Sequence, residues 1–98
     1  MVQDRDSLVE SAYEIPAQGL EQEVAKIIAD VVGVDRVGRH DSFFELGGTS
    51  MDAIRVCARV ERLTDRVVEP GWLLDHDELS DFVAKVGLAS AGSETAPQ

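Results

Sequence analysis

The sequence is poor in basic residues and cysteine, and it contains no long apolar run. Nine Lys and Arg residues stand against nineteen Asp and Glu residues, so the formal charge of the 98-residue chain is −10. Such a chain lacks the positive field through which nucleic acids and anionic membranes are bound. A spanning helix needs about 20 consecutive apolar residues, and a secretory signal needs a basic stretch before an apolar one. Neither pattern occurs, so we expect a cytoplasmic protein that binds neither nucleic acid nor membrane.

The single cysteine, Cys57, excludes an internal disulfide, and no zinc ligand set can be assembled around it. We expect it to be an inert, buried thiol. A length of 98 residues suits one small domain without a deep substrate chamber, which argues against a large enzyme. Composition and charge predict a flexible leader over residues 1–18, a domain over residues 19–88 and a disordered tail over residues 89–98.

Apolar residues recur at helical spacing in the first half of this domain. The spacing predicts a first helix over residues 20–31, which ends before Gly33 because glycine tolerates the left-handed conformation found after many helices. A second helix is predicted over residues 50–63, beginning at Thr49 or Ser50. Its predicted core face consists of Ala53, Val56, Cys57, Val60 and Leu63.

A third helix is predicted to begin at Asp75 or Asp77 and to end at Gly87. Asp75 and Glu78 have the spacing of a helix-start pair, in which the first carboxylate accepts a backbone N–H. Before it, residues 72–74 are expected to form a short helical turn whose tryptophan fills the core.

A loop of about sixteen residues separates Gly33 from Gly48, and structureless loops of that length are often functional. Its apolar residues, among them Phe44 and Leu46, predict that it packs across the bundle, with Phe43 half exposed. The predicted fold class is therefore all-α, a small bundle of three to four helices with a long first loop.

The most informative residue is Ser50, which follows Gly47, Gly48 and Thr49. If Thr49 is the N-cap, Asp52 stands three residues on, as in a capping box, and the Ser50 hydroxyl stays free. A free hydroxyl beside the unpaired N–H groups of a helix start suits a covalently attached phosphate. A loop followed by an ordinary N-cap is the alternative interpretation.

This stretch resembles the attachment motif of the carrier (thiolation) domains of nonribosomal peptide synthetases. The motif has an acidic residue, paired Phe, Leu-Gly-Gly, a variable residue, the modified serine and Leu or Met. Here these positions are Asp41, Phe43, Phe44, Leu46, Gly47, Gly48, Thr49, Ser50 and Met51. The resemblance extends over residues 20–87. The sequence departs from the pattern at Thr49, where His or Asp is more usual, and over residues 69–77, which replace a Phe-x-x-Pro-Thr pattern.

The resemblance implies a peptidyl carrier protein, not an enzyme, acting in natural-product or antibiotic biosynthesis. Ser50 would carry 4′-phosphopantetheine, whose thiol tethers an aminoacyl or acyl group as a thioester. Gly47 and Gly48, next to Thr49, would let the arm and the modifying enzyme approach. The implied partners are a phosphopantetheinyl transferase, an adenylation enzyme, and condensation or tailoring enzymes. Met1 and the unstructured flanks favour a free-standing carrier over an excised domain, and we expect a monomer.

Three other functions compete with this interpretation. An acyl carrier protein of polyketide or fatty acid synthesis is disfavoured by the Leu-Gly-Gly before the serine. A non-catalytic acidic adaptor bundle would use Ser50 only as part of a helix start. A Ser-His-Asp hydrolase built from Ser50, His40 or His76, and Asp41 is disfavoured because Asp52 stands where a nucleophile elbow has glycine.

One face of the second helix is predicted to contact partners. Residues 50–66 hold four of the nine basic residues and have a net charge of 4 − 3 = +1, while the rest of residues 19–88 has −7. A mixed basic and apolar face beside the attachment site suits an acidic patch on a partner, and an ordinary solvated face is the alternative. The predicted docking residues are Met51, Arg55, Ala58, Arg59 and Arg62.

Overall fold

The structure, a computed structural model, describes residues 2–88. Within them lie four α-helices: α1 (Leu20–Val32), α2 (Ser50–Thr64), α3 (Pro70–Asp75) and α4 (Leu79–Gly87). α2 packs against α1 and α3, and α4 packs against α1. The predicted all-α fold is confirmed. The predicted tail, residues 89–98, lies outside the described residues.

Helix α1 follows the sequence prediction closely. Its buried apolar residues, Val24, Ala25 and Ile28, face the core. Gly33 ends the helix with a φ of 81°, a left-handed conformation that favours glycine, and its amide donates to the carbonyl of Ala29. Among the helices of residues 2–88, none has the length and hydrophobicity that crossing a membrane requires.

The predicted core face of α2 is confirmed except in its last turn. The first four predicted residues are buried: Ala53, Val56, Cys57 and Val60. Leu63, in contrast, is 46% exposed, so its assignment to the core is wrong. Leu63 lies at the edge of the apolar arc, close to Arg59 on the helical wheel, where the helix surface turns from the core towards solvent.

The predicted start of the last helix is also wrong. Asp75 lies in α3, and α4 begins at Leu79 with Glu78 as an N-cap that makes no side-chain hydrogen bond. Asp77 does not start the helix because both its carbonyl and its carboxylate bind residues of the first loop. The end at Gly87 is confirmed. The predicted short turn is confirmed as part of α3.

Residues 2–18, the N-terminal segment, pack against the bundle, contrary to the prediction of a flexible leader. Val9 is buried in the core. The Gln3 amide donates to the Gly33 carbonyl at 2.7 Å, and the Gln3 carbonyl accepts from Asp35 at 2.9 Å. Arg5, in a short 3₁₀ turn, is 1% exposed. Sequence periodicity could not reveal this packing because the segment is held by polar contacts to distant residues.

A buried ion pair joins the N-terminal segment to the first loop. The Arg5 guanidinium donates two hydrogen bonds to Asp41, at 2.7 Å from Nε and 2.6 Å from Nη2. The Gly38 amide donates to the same carboxylate at 2.8 Å. Burial alone would raise the pKa of Asp41, but these hydrogen bonds outweigh it and hold the pKa below its ordinary value. Asp41 is therefore ionised in the folded chain at neutral pH.

Replacing Arg5 with alanine is expected to lower the free energy of unfolding by about 3–5 kcal/mol, because Asp41 is left as a buried, unpaired charge. Urea denaturation followed by the fluorescence of Trp72 measures the change. Lys26→Ala is the control, since this side chain is 67% exposed and should contribute less than about 0.5 kcal/mol. Equal losses in the two variants would contradict the role given to Arg5.

The Asp41 carboxyl should also make stability fall in acid. A carboxyl whose pKa is lower in the folded chain stabilises it fully above the ordinary value of 3.8, and this contribution is lost as pH falls through the folded pKa. The difference in unfolding free energy between the wild type and Asp41→Asn should therefore shrink below about pH 4. A difference that stays constant down to about pH 2 would be inconsistent with this pairing.

Candidate functional site

Ser50 is the first residue of α2 and is exposed to solvent. Its hydroxyl makes no side-chain hydrogen bond to any other part of residues 2–88. Its neighbours cap the helix instead: the Thr49 hydroxyl accepts from the Asp52 amide, and the Asp52 carboxylate accepts from the Thr49 amide, both at 3.2 Å. The predicted capping box is confirmed, and it leaves the Ser50 hydroxyl available for a covalent modification.

The electrostatic surroundings of Ser50 suit an anionic substituent. The first amides of an α-helix have no carbonyl partner within the helix, and the positive end of the helix dipole lies there. The Asp52 amide is used by Thr49, which leaves the amides of Ser50 and Met51 at this end. A phosphodiester on the Ser50 oxygen would therefore be placed beside N–H donors and in solvent. The residues present fit a phosphate-linked prosthetic group.

The residues before Ser50 form a turn over residues 42–48, which we call the serine turn. The amides of residues 46–48 donate to the carbonyls of residues 42–44 at 2.9–3.1 Å. Gly47 has a φ of 92°, which a residue with a side chain rarely adopts, and nothing lies within 4 Å of the place of its missing Cβ. These bonds define one conformation for the chain that leads into α2.

The two phenylalanines of the serine turn have the opposite exposure from the one predicted. Phe43 is 1% exposed, whereas Phe44 is 48% exposed, so only Leu46 and Phe43 anchor this part of the loop. The rings meet edge to face, with centroids 5.8 Å apart. Adjacent residues in a turn point in different directions, and tertiary packing selects which of them is buried.

Gly48 lies against the buried ring of Phe43. A Cβ built on Gly48 would be 2.4 Å from Phe43 Cζ, closer than any real contact. The sequence interpretation assigns Gly47 and Gly48 to the approach of a prosthetic arm. The structure gives Gly48 a packing role, Gly47 has its open side towards solvent, and the approach of an arm stays a prediction for both.

The predicted docking residues all lie on the exposed surface of α2: Met51, Arg55, Ala58, Arg59 and Arg62. The three arginines, which we call the basic stripe, differ in their partners. Arg59 bonds to Asp30 of α1 at 2.8 Å, and Arg55 lies 3.7 Å from Asp52. Arg62 makes no ion pair within the part of the chain that the structure describes. Arg62 is therefore the member with most charge available to a partner.

The structure adds an apolar residue that the sequence reasoning missed. Ile54 is 50% exposed, close to Met51, which is 59% exposed. The signal was present, because Ile54 lies about 40° from Ser50 on a helical wheel, outside the core arc. A shallow cavity of about 350 Å³ is lined by Val31 of α1 and by α2 residues that include Arg55 and Ala58. Ser50 is thus followed by a face that combines apolar and basic side chains.

Two residues of the disfavoured hydrolase, Asp41 and His40, are engaged elsewhere. Asp41 binds Arg5, and His40 faces two carboxylates, with Nδ1 2.5 Å from Glu78 and Nε2 3.5 Å from Glu14. No hydrogen bond joins Ser50 to a histidine within residues 2–88. The structure therefore does not assemble a catalytic triad from these residues.

Cys57 and Trp72 have structural positions. Cys57 is buried, and burial together with the negative charge of Glu61 raises the pKa of its thiol to about 12. It is therefore protonated and inert, as predicted. Trp72 is partly buried against the core, and the Lys85 ammonium lies 5.0 Å from its ring centroid.

Comparison with known proteins decides the family. A family model described as a phosphopantetheine attachment site matches residues 22–86. The chain belongs to this family. It is a carrier domain of the nonribosomal peptide synthetase type, whose prosthetic group is a covalently attached 4′-phosphopantetheine.

The family assignment is supported by relatives of several kinds. Malpinin synthetase of Mortierella alpina is 35% identical over 82 residues, which are 84% of this chain and 1% of the synthetase. BlmI, a type-II acyl carrier protein of Streptomyces verticillus, is 37% identical with a TM-score of 0.67, covering 69% of this chain and 82% of BlmI. A peptidyl carrier protein solved with the transferase Sfp and coenzyme A is 28% identical with a TM-score of 0.73. The match covers 76% of this chain and 97% of that carrier protein.

Gly48→Ala is expected to lower the free energy of unfolding by about 1–3 kcal/mol, because the new methyl group overlaps the buried Phe43 ring. Thermal denaturation followed by circular dichroism measures the effect. Gly71→Ala is the matched control, since nothing lies within 4 Å of its Cβ position and it lies in α3. A Gly48 variant as stable as the Gly71 variant would contradict the packing described.

Proposed function

We propose that Ser50 is the attachment residue for 4′-phosphopantetheine and that the chain presents a tethered acyl or aminoacyl group to partner enzymes. The observation that carries the proposal is the exposed Ser50 hydroxyl, which makes no side-chain hydrogen bond and stands at the start of α2. When bound, the group supplies the thiol that holds the cargo. The chain contributes the anchor, the helix N-terminus and a surface for docking, and it transforms nothing itself.

The proposed partners follow from this role. A phosphopantetheinyl transferase would modify Ser50, an adenylation enzyme would load the thiol, and condensation or tailoring enzymes would use the cargo. The peptidyl carrier protein solved with Sfp and coenzyme A supports the first of these. We further propose that the chain acts as a monomer in the cytoplasm.

The likeness to BlmI supports a carrier that acts in trans, because BlmI is a type-II acyl carrier protein involved in bleomycin biosynthesis. The chain spans 1–2% of the length of curated relatives such as malpinin synthetase and tyrocidine synthase 2. What those synthetases make therefore says little about the cargo of this chain. A free-standing peptidyl carrier remains our proposal, with an acyl carrier of polyketide or fatty acid synthesis as the alternative.

The exposed face of α2 is the proposed docking surface. Its apolar part, Met51 with Ile54, lies within one turn of Ser50, and the basic stripe continues along the helix. Charge at a rim steers the encounter of two proteins, whereas apolar contacts hold the complex once it has formed. A partner with an acidic patch around an apolar centre would match this face.

Incubation with coenzyme A and a promiscuous phosphopantetheinyl transferase should add one pantetheinyl group to the wild-type chain. Ser50→Ala should gain no mass and keep its helicity, because the Thr49–Asp52 capping box is intact. Intact-mass spectrometry measures both. Ser7→Ala, at an exposed serine in the N-terminal segment, is the control and should be modified like the wild type. Modification of the Ser50 variant, or none of the folded wild type, would rule the proposal out.

Arg62→Glu should slow the reaction with partner enzymes by about tenfold at low salt, because Arg62 is the unpaired member of the basic stripe. The effect should diminish as salt is raised to about 0.5 M, since exposed charges are then screened. Initial loading rates at several salt concentrations measure it. Lys26→Glu, the same charge reversal on the exposed surface of α1, is the control. Equal effects of both reversals would mean that only net charge matters.

A further inference from the structure

The link between α3 and α4 contacts the serine turn through Asp77. The main-chain carbonyl of Asp77 accepts a hydrogen bond from the Phe43 amide at 2.7 Å. Its carboxylate accepts a hydrogen bond from the Ser42 hydroxyl. A hydrogen bond between a hydroxyl and an ionised carboxylate is charge-assisted and stronger than one between neutral groups. Asp77 therefore holds the first two residues of the serine turn from a different part of the chain.

Ser42 extends this contact into the rest of the turn. Its hydroxyl oxygen accepts from the amides of Phe44 and Glu45 at 3.2 and 3.4 Å, and its carbonyl accepts from the Leu46 amide at 3.1 Å. A serine hydroxyl has one proton to donate and two lone pairs that accept. With the proton directed to Asp77, both lone pairs are available to the turn. The Asp77 carboxylate thus fixes the orientation of the Ser42 hydroxyl, whose oxygen accepts hydrogen bonds from the amides of the turn.

We infer that Asp77 is a positioning residue for the modification of Ser50, an inference that rests on the proposed function. Acting through Ser42, the Asp77 carboxylate holds the serine turn in the conformation that presents Ser50 to the transferase. The turn ends at Gly48, two residues before Ser50, so a shift of the turn displaces the start of α2. A nucleophile displaced from its productive geometry reacts more slowly even when the chemistry is unchanged.

Four variants separate the carboxylate from the rest of Asp77. Asp77→Ala removes the acceptor for Ser42 but keeps the main-chain carbonyl that binds Phe43. Asp77→Asn keeps a side-chain oxygen that accepts from the Ser42 hydroxyl and serves as the rescue. Ser42→Ala removes this contact from the other side, together with the hydrogen bonds that the Ser42 hydroxyl accepts from Phe44 and Glu45. Asp75→Ala is the matched control, because Asp75 is an exposed carboxylate two residues away.

The test measures the kinetics of modification of each full-length apo chain by a promiscuous phosphopantetheinyl transferase with coenzyme A. Asp77→Ala and Ser42→Ala should each lower kcat/KM by about tenfold. The double variant should be no slower than Ser42→Ala, because Asp77→Ala removes only a contact that Ser42→Ala already removes. Asp77→Asn should recover most of the rate, and Asp75→Ala should match the wild type.

Amide hydrogen exchange supplies a readout that does not depend on the reaction. The amides of residues 43–49 should exchange about tenfold faster in Asp77→Ala, while those of α1 stay unchanged. Urea denaturation of the same samples shows whether the fold is retained.

The outcomes separate this inference from the proposed function. If the folded wild type gains no pantetheinyl group, the proposed function fails and the inference fails with it. If the wild type is modified and Asp77→Ala is modified equally fast, the inference alone is overturned. Faster exchange without a slower reaction also overturns it, since Asp77 would then stabilise the turn without positioning Ser50. A slower reaction that Asp77→Asn restores supports it.

Discussion

The hydrogen bonding of Asp41 constrains the arrangement of the whole bundle. A carboxylate removed from water must have its oxygens hydrogen-bonded, and Asp41 satisfies this requirement with Arg5 and with the Gly38 amide. Its main-chain carbonyl accepts from the Leu79 amide at 3.2 Å, at the start of α4. Three parts of the chain that are distant in sequence therefore meet at one residue. The loop that runs on from this junction leads to Ser50, so the position of the site depends on a charge pair outside its own helix.

Near Ser50, the residues that pack and cap the chain are different from the serine whose hydroxyl is exposed. Phe43 is buried beneath Gly48, and this contact fixes the chain without using any group of the serine. Thr49 and Asp52 cap α2, which leaves the Ser50 hydroxyl outside the hydrogen-bond network. Thr49 and Asp52 thus supply the hydrogen bonds that a helix start requires. Ser50, the proposed attachment residue, is not needed for them.

The sequence predicted those structural features that depend on local periodicity. Its predictions were wrong where contacts between distant residues determine the structure. Helical spacing located α1 and α2, and the Thr49–Asp52 spacing predicted the cap, because these interactions span only a few residues. The Asp75–Glu78 spacing is equally good locally, yet α4 begins later because Asp77 is held by the first loop. The burial of Arg5 could not be predicted from the sequence either, since a lone arginine in a polar segment gives no periodic pattern.

The candidate site shows the same division. The motif around Ser50 singled it out as the proposed attachment residue, whereas the exposure of Phe43 and Phe44 could not be read from two adjacent, identical side chains. The packing role of Gly48 became visible only with the ring of Phe43 in place. The contribution of Asp77 lies beyond sequence reasoning because no local pattern relates it to Ser42, 35 positions earlier.

The unequal distribution of charge over the chain has a consequence for how it meets other proteins. A molecule with a formal charge of −10 that presents exposed arginines on one helix carries its charge unevenly over its surface. The net charge would repel an acidic protein at long range, and the arginines of α2 would attract its acidic groups at short range. Collisions in other orientations are discouraged before any contact forms, so the same helix that bears Ser50 would arrive first.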